Sequence, residues 1–302
     1  MKKVLIAGGS GQIGIYLSKI LIEKGYRVSI LSRRKIYFER MQTYLWDVEK
    51  GEIDTEAVET ADYIINLSGA NIGAKRWSLK RKNEILNSRV NSTKLLFKKV
   101  RELNKHLDAF ITSSAVGYYG TKTSDKIFTE DDISGTDFLG SVCNKWEKAS
   151  YPFAEFGVRT VQIRTGVVFN KGAGALSKMM LPVKMFIGSP LGSGNQFVPW
   201  IHIEDLCNIY IKAIEDSRMV GAYNATAPEH VTNKELTTEI ANHLNKPLFL
   251  PKVPASVLNL LMGEMSIIAL EGSRVSSEKI SKLNFNFLYP DVESALENLI
   301  DN

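Results

Sequence analysis

The chain has 302 residues, 44% of them hydrophobic and 24% charged, an ordinary globular balance with room for one large domain or a domain carrying a lobe. Its net charge of +5 permits acidic or phosphorylated ligands without demanding nucleic acid. The two cysteines, Cys143 and Cys207, exclude a disulfide framework and a metal-ligand spacing, and no apolar run is long enough to cross a bilayer.

Val4-Leu5-Ile6-Ala7 flows straight into Gly8, Gly11 and Gly14. The pattern predicts a buried strand, a tight turn and a helix over 12–24 that stops at Gly25. Gly8 supplies backbone angles closed to other residues. Gly11 holds no side chain between the backbone and a phosphate, and Gly14 lets the helix lie close to the sheet. Free N–H groups and the positive dipole end of that helix suit a pyrophosphate. Placed after an N-terminal strand, the motif points to a dinucleotide. The start Met1-Lys2-Lys3 passes directly into the strand, unlike a signal peptide, so a soluble, cytoplasmic protein is expected.

A second strand, 28–31, ends at Ser32-Arg33-Arg34. An NAD site places Asp or Glu there for the ribose 2′-hydroxyl. Guanidinium groups instead fork onto a 2′-phosphate, so NADP(H) is the expected cofactor. Asp47, in a third strand over 44–48, is either an acceptor for the adenine amino group or a plain surface carboxylate. A fourth strand covers 63–67 and a long helix 79–103. The basic run 74–82, with Trp77 inside it, reads as a solvated loop and helix start, and no nucleic-acid partner is expected. A fifth strand, 109–113, precedes a helix over 138–155 and a sixth strand over 158–164. This alternation predicts an α/β fold, a doubly wound parallel Rossmann sheet with helices on both faces.

After Arg164 the texture changes. Glycine-rich loops at 172–174 and 188–194 flank a methionine-rich helix, and helical periodicity returns over 203–215. Beyond Asn224 the segments are short and broken by Pro228, Pro247, Pro251 and Pro254. Residues 1–170, with 200–225 returning, form the expected NADP-binding domain. Residues 171–199 and 226–302 form a smaller α+β substrate lobe.

Further motifs join the glycine turn. They are Asn66-Leu67-Ser68-Gly69-Ala70, Arg76-Trp77, Ser88-Arg89-Val90 and Ser113-Ser114-Ala115-Val116-Gly117-Tyr118-Tyr119-Gly120. Then come Trp146-Glu147, Arg164-Thr165-Gly166, Trp200-Ile201-His202-Ile203-Glu204-Asp205, Asn224-Ala225-Thr226, Val231-Thr232-Asn233 and Gly263-Glu264-Met265. Together they resemble the epimerase-like branch of the extended short-chain dehydrogenase/reductases over nearly the whole chain, including a small C-terminal domain over about 250–298.

The resemblance implies that Gly8, Ser10, Gly11, Gln12, Ile13 and Gly14 hold the pyrophosphate. Ser32, Arg33 and Arg34 would hold the 2′-phosphate, with Asp47 at the adenine. Leu67, Ser68 and Gly69 would pass along the ribose and phosphates, with Arg89 and Ser113 on the cofactor side. Arg89 stands where the superfamily usually has Asn. Ser114 stands at the catalytic Ser or Thr position. Arg76, Trp77, Trp200 and His202 are substrate-side candidates, although His202 at a helix start also suits capping.

One departure decides the chemistry. The superfamily moves protons with Tyr-x-x-x-Lys on the helix after the fifth strand. Here Cys143 and Glu147 occupy those positions. A carboxylate beside a thiol raises its pKa, so packing is the better reading of Cys143. Tyr118 and Tyr119 become the acid/base candidates, with Ser114. The expected function is hydride transfer on a sugar nucleotide or similar polar carbonyl or carbinol metabolite, by a monomer or homodimer without a metal. A non-catalytic NADP(H)-binding or sensor protein is the alternative.

Overall fold

The computed structural model describes residues 1–172 and 174–301, so Ala173 of the glycine-rich loop and the terminal Asn302 lie outside the described residues. Among the described residues twelve strands occur: β1 (Lys3–Ala7), β2 (Arg27–Ser32), β3 (Gln42–Asp47), β4 (Glu52–Ile53), β5 (Tyr63–Asn66), β6 (Ala109–Ala115), β7 (Ile127–Phe128), β8 (Thr160–Thr165), β9 (Val167–Asn170), β10 (Trp200–His202), β11 (Gly221–Ala225) and β12 (Arg274–Val275). The helices that matter for the site are α1 (Gln12–Glu23), α2 (Thr55–Glu59), α3 (Leu79–Glu102), α4 (Phe138–Glu155), α5 (Gly174–Lys184), α6 (Ile203–Glu215), α7 (Asn233–His243) and α8 (Ala255–Met262).

Eight strands form the central sheet in the order β4-β3-β2-β1-β5-β6-β8-β11. Every pairing is parallel except β3 with β4. From β1 the chain winds outward through β2 and β3, then returns to β5 on the other side. The order therefore reverses between β1 and β5, where doubly wound sheets bind their ligands. Six of these strands are those expected from the sequence; β4 and β11 are additional. The doubly wound parallel Rossmann sheet expected of the fold is present.

The continuous apolar run of β1 follows from burial on both faces. Val4 and Ile6 point into a core shared with Leu17 and Leu21 of α1 and Ile209 and Ile214 of α6. Leu5 and Ala7 point the other way, against Leu95, Leu96 and Val100 of α3 and Phe153 of α4. A third core, with Phe169, Leu176, Trp200, Leu236 and Leu296, holds the lobe together. Trp77, Ile85, Leu139, Val142 and Met265 make a fourth, tying α3 and α4 to the C-terminal residues.

Helix starts are set by local chemistry. Ser78 caps α3 and Asp137 caps α4, and Thr232 with Glu235 forms a capping box on α7. Gly11, before α1, caps nothing with a side chain, so the first N–H groups of α1 remain open to a ligand. Among the described residues no helix is long and apolar enough to cross a membrane, and no group of acidic, His or Cys residues could hold a metal.

Candidate functional site

The glycine turn leaves β1 at the point of strand reversal. Gly8 has φ +79, and a Cβ there would come within 2.9 Å of the Leu67 carbonyl carbon and the Ser68 nitrogen. The turn therefore lies directly on the end of β5, where Leu67 N donates to Ala7 O at 2.8 Å. Gly14 does not abut the sheet as expected. A Cβ at Gly14 would meet the Gly9 Cα at 2.5 Å, while one at Gly9 would overlap the Ile30 side chain. Gly9 is the spacer between helix and sheet, and Gly14 makes room for Gly9. Ser10, Gly11 and Gln12 are exposed at the rim and Ile13 is half-buried. The first residue of α5 lies close to the Gln12 carboxamide, so the lobe reaches the turn.

At the end of β2, Ser32 is buried and its hydroxyl accepts from Arg34 N at 3.3 Å. Arg33 and Arg34 are exposed and have no acidic partner among the described residues. The Asp47 carboxylate is turned back on its own chain, where Oδ1 accepts from Glu49 N at 3.0 Å and Lys50 N at 3.1 Å. At the end of β5, buried Asn66 donates to Thr93 at 3.0 Å and accepts from both Ser68 N and the Ser68 hydroxyl. This clamp sets the path of Leu67, Ser68 and Gly69. Beneath it, Arg89 Nη1 donates to Ala70 O at 3.1 Å and Ile85 O at 2.9 Å.

The carboxyl end of β6 is built differently from the pattern the resemblance implies. Alternation along β6 sends Ser113 to Tyr210, 2.6 Å away, and Ser114 to the opposite face. Ser114 Oγ donates to Glu147 Oε1 at 2.6 Å. Arg164 grips the same carboxylate with two forked bonds, Nε to Oε1 and Nη2 to Oε2, both 2.9 Å. The two side chains are only 4% and 3% exposed. Burial lowers the Arg164 pKa, and Glu147 more than reverses that, leaving it above the ordinary guanidinium value.

Arg164 also donates through Nη1 to the Tyr119 hydroxyl at 3.0 Å and to Glu130 O at 3.2 Å. The Tyr119 hydroxyl donates in turn to Asn224 Oδ1 at 2.6 Å. Burial pushes the Tyr119 phenol well above its usual range despite Arg164. These bonds correct the expectation for Tyr119, whose hydroxyl is committed inside the network. Tyr118 is half-buried, and the Arg164 guanidinium lies 3.5 Å from its ring centre. Burial and then Glu147 push the Cys143 thiol up to about 12, against the opposing charge of Arg89.

The four substrate-side candidates do not converge. Trp200 is fully buried in the lobe core, its ring stacked on Phe169 at 5.2 Å. His202 is 1% exposed and caps α6 through Nδ1, which accepts from Glu204 N at 3.2 Å. Its ring lies 3.8 Å from that of Tyr289, and burial pulls its pKa down to about 4 despite Asn298. Trp77 Nε1 donates to Ile72 O at 3.0 Å and its ring packs edge-on against Phe138. Arg76 donates to the carbonyls of Leu260 and Leu261, at the C-terminal end of α8, where carbonyls lack helical partners. Lys82 pairs with Glu264 nearby. Arg76 and Lys82 of the basic run therefore clasp the C-terminal residues, while Arg81 bonds Asn71 O and Glu84.

Sequence reasoning assigned no role to Arg164, Asn224 or Glu130. A signal existed for two members of the network. Arg164 interrupts an apolar strand, and Glu147 follows Cys143 by four residues on the apolar face of α4, so both charges had to be buried together.

A family model described as NAD dependent epimerase/dehydratase family matches residues 4–141, and one described as Domain of unknown function (DUF1731) matches residues 253–299. The chain is 36% identical to the epimerase family protein YfhF of Bacillus subtilis, over 98% of this chain and 97% of that one. It is 34% identical to the mouse epimerase family protein SDR39U1 over 99% of each. The crystal structure of human epimerase family protein SDR39U1 with NADPH aligns with a TM-score of 0.89 at 32% identity, covering 99% of both chains. A nucleoside-diphosphate sugar epimerase structure from Corynebacterium glutamicum gives 0.81 at 29% identity, covering 99% of this chain and 58% of that one. With its strand reversal, its glycine turn and relatives that match it end to end, the chain belongs to the NAD dependent epimerase/dehydratase family.

Proposed function

We propose that this protein binds NADP(H) and carries out hydride transfer on a small polar carbonyl or carbinol substrate, with a sugar nucleotide as the first class to test. The observation that carries the cofactor choice is the pair Arg33 and Arg34, exposed at the end of β2 without an acidic partner. They stand beside a glycine cradle that any Cβ would fill. The human relative crystallised with NADPH supports the same reading, and the Corynebacterium relative supports the sugar-nucleotide class.

When bound, NADPH supplies the hydride at its nicotinamide C4. The N–H groups at the start of α1 receive the pyrophosphate, and Arg33 and Arg34 receive the 2′-phosphate. Ser114 has given its single proton to Glu147, so its oxygen accepts from a ligand hydroxyl and does not donate to a carbonyl. Proton transfer then falls to Tyr118, whose half-buried phenol is free of the network that holds Tyr119. We place the protein in the cytoplasm as a monomer or homodimer without a nucleic-acid partner.

The test of cofactor choice is calorimetry with NADPH and NADH on wild type and on the Arg33→Ala, Arg34→Ala double variant. Loss of charge-assisted contacts to the 2′-phosphate costs about 1.5–3 kcal/mol for NADPH and nothing for NADH. Equal affinities in the wild type refute the reading. The reaction is tested by following NADPH absorbance against carbonyl metabolites and sugar nucleotides, with Tyr118→Phe inactive. A second reading, a cofactor-binding sensor without turnover, draws on the locking of Glu147 and Ser114 by Arg164. It gains if NADPH binds and the whole panel stays unturned.

A further inference from the structure

One face of the molecule joins exposed apolar side chains to cations. Three stretches build it: residues 72–82, residues 174–190 with α5, and residues 244–263 with α8. They hold nine Lys or Arg and no Asp or Glu, in a chain with 33 acidic residues. Hydrogen bonds show that they adjoin. Lys178 Nζ of α5 donates to Gly73 O at 3.2 Å, and Arg76 donates to the carbonyls of Leu260 and Leu261 in α8. Ser189 Oγ donates to Pro251 O at 2.6 Å, and Lys246 Nζ lies 4.2 Å from the Phe186 ring centre. Lys178, Leu181 and Met185 follow one another at helical spacing, so the exposed Leu181 and Met185 lie on the side of α5 that meets the loop. In α8 only Leu258 is buried, and Leu260 and Leu261 are 76% and 66% exposed. Phe249, shortly before α8, is exposed as well.

Bulky apolar groups left in water over a contiguous area mark a binding surface, and the charges around them select its occupant. Lys75, Lys80 and Lys184 are exposed and form no ion pair among the described residues. The flanking acids Glu84 and Glu264 are held by Arg81 and Lys82. A second copy docked face to face would set these lysines against themselves, with no acid to answer them. Protein partners favour Tyr, Trp and Arg at an interface and disfavour Lys. Here seven of the nine cations are Lys, and both arginines are bonded to backbone carbonyls. Leu, Met and Phe beside Lys is instead the composition of helices that lie in the headgroup layer of an anionic bilayer. With eight residues, α8 is too short to cross one. We propose that this face docks the protein on an anionic phospholipid surface. Phe249, Leu260 and Leu261 enter the headgroup layer, and Lys75, Lys80 and Lys184 meet the lipid phosphates. The proposal is independent of the cofactor and of the reaction.

The experiment sediments the full chain with vesicles of phosphatidylglycerol and phosphatidylcholine in equal parts, and with vesicles of phosphatidylcholine alone. Wild type partitions onto the anionic vesicles, far less onto the neutral ones, and less at high salt. Leu260→Ser with Leu261→Ser weakens partitioning by about tenfold or more. Lys75→Gln, Lys80→Gln and Lys184→Gln together weaken it by about a hundredfold, at about fivefold for each lysine. Lys19→Gln, Lys145→Gln and Lys148→Gln together remove equal charge from exposed positions on α1 and α4, and this control keeps most of the wild-type partitioning. Urea midpoints check that the variants fold, and if the serine pair does not, the lysine variant decides alone. Failure of wild type to bind anionic vesicles at low salt overturns the proposal. An equal loss in the control does so too, because it marks attraction by net charge only. Sedimentation without lipid reads the other occupant: a dimer that the serine pair dissolves, together with no vesicle binding, makes this face an interface between copies and refutes the proposal.

Discussion

Glu147→Gln is the most informative single change in this molecule. Glu147 accepts from Ser114 Oγ at 2.6 Å and from Arg164 Nε and Nη2 at 2.9 Å each. Glutamine has the same shape but one acceptor oxygen, and its NH2 group must face a donor. The Arg164 charge is then left without its counterion in a place 4% exposed. Removing one partner of a buried pair costs about 3–5 kcal/mol, a large share of the roughly 5–15 kcal/mol that holds a domain folded. Urea denaturation measures this as a lower midpoint at unchanged slope. The control is Glu147→Leu combined with Arg164→Met, which removes both charges. With Ser114→Ala added so that no buried hydroxyl loses its acceptor, that combination leaves Glu130 O with one donor fewer and Tyr119 with Asn224 alone, a cost of about 1–3 kcal/mol, so it is more stable than Glu147→Gln. A loss under about 1 kcal/mol in Glu147→Gln refutes the reasoning, because the carboxylate would then not be the counterion that keeps Arg164 buried.

His202 has a folded pKa of about 4 against an ordinary 6.5 because burial disfavours its charged form. The unfolded chain therefore takes the proton first. Its contribution to stability is whole above pH 6.5 and falls as pH drops towards 4, by up to about 3 kcal/mol; His202→Asn keeps a helix cap and flattens that slope in denaturation curves. Gly14→Ala forces a Cβ onto Gly9, so about 1–3 kcal/mol of stability is lost along with NADPH binding, and a variant with wild-type affinity contradicts the close packing of the turn. Arg76→Ala frees the end of α8 at a cost near or below about 1 kcal/mol, as for other exposed contacts; limited proteolysis cuts the 69–78 loop faster, and an unchanged digestion rate removes the clasp.

Legibility followed locality. Helices 138–155 and 203–215 read correctly to the residue because Asp137 and His202 cap them and their apolar spacing is regular. β11, Gly221-Ala-Tyr-Asn-Ala, was missed as a strand of the main sheet because it has no apolar run. Its place comes from pairing with β8 through Ala225↔Thr165, a contact no local pattern encodes. The resemblance makes Trp200 a substrate-side candidate. In fact β10 pairs with β9, which turns Trp200 onto Phe169 in the lobe. The cofactor end of the cleft is one contiguous strand, turn and helix, and so it was open to reading from residue spacing. The Glu147–Arg164 network joins β6, α4, β8 and β11, and only the fold brings those together.

The two ends of the cleft carry different consequences for chemistry. At the glycine turn small residues are required because the backbone packs closely at Gly8, Gly9 and Gly14, so family membership and local geometry agree. At the other end the catalytic Tyr and Lys positions hold Cys143 and Glu147, yet the serine of β6 is kept. If that end were only eroded, apolar residues would serve the helix–sheet packing better than an ion pair, since well-packed hydrophobic replacements of buried pairs are often neutral or stabilising. Instead Glu147, Arg164, Tyr119, Asn224 and Ser114 satisfy one another within hydrogen-bonding distance. A satisfied buried network fixes the positions of its members. It holds Ser114 in one orientation and the Arg164 guanidinium against the Tyr118 ring, while Arg89 donates to the Ala70 and Ile85 carbonyls. The arrangement is that of a rebuilt network rather than an eroded one, with Ser114 and the Tyr118 ring fixed in place by it.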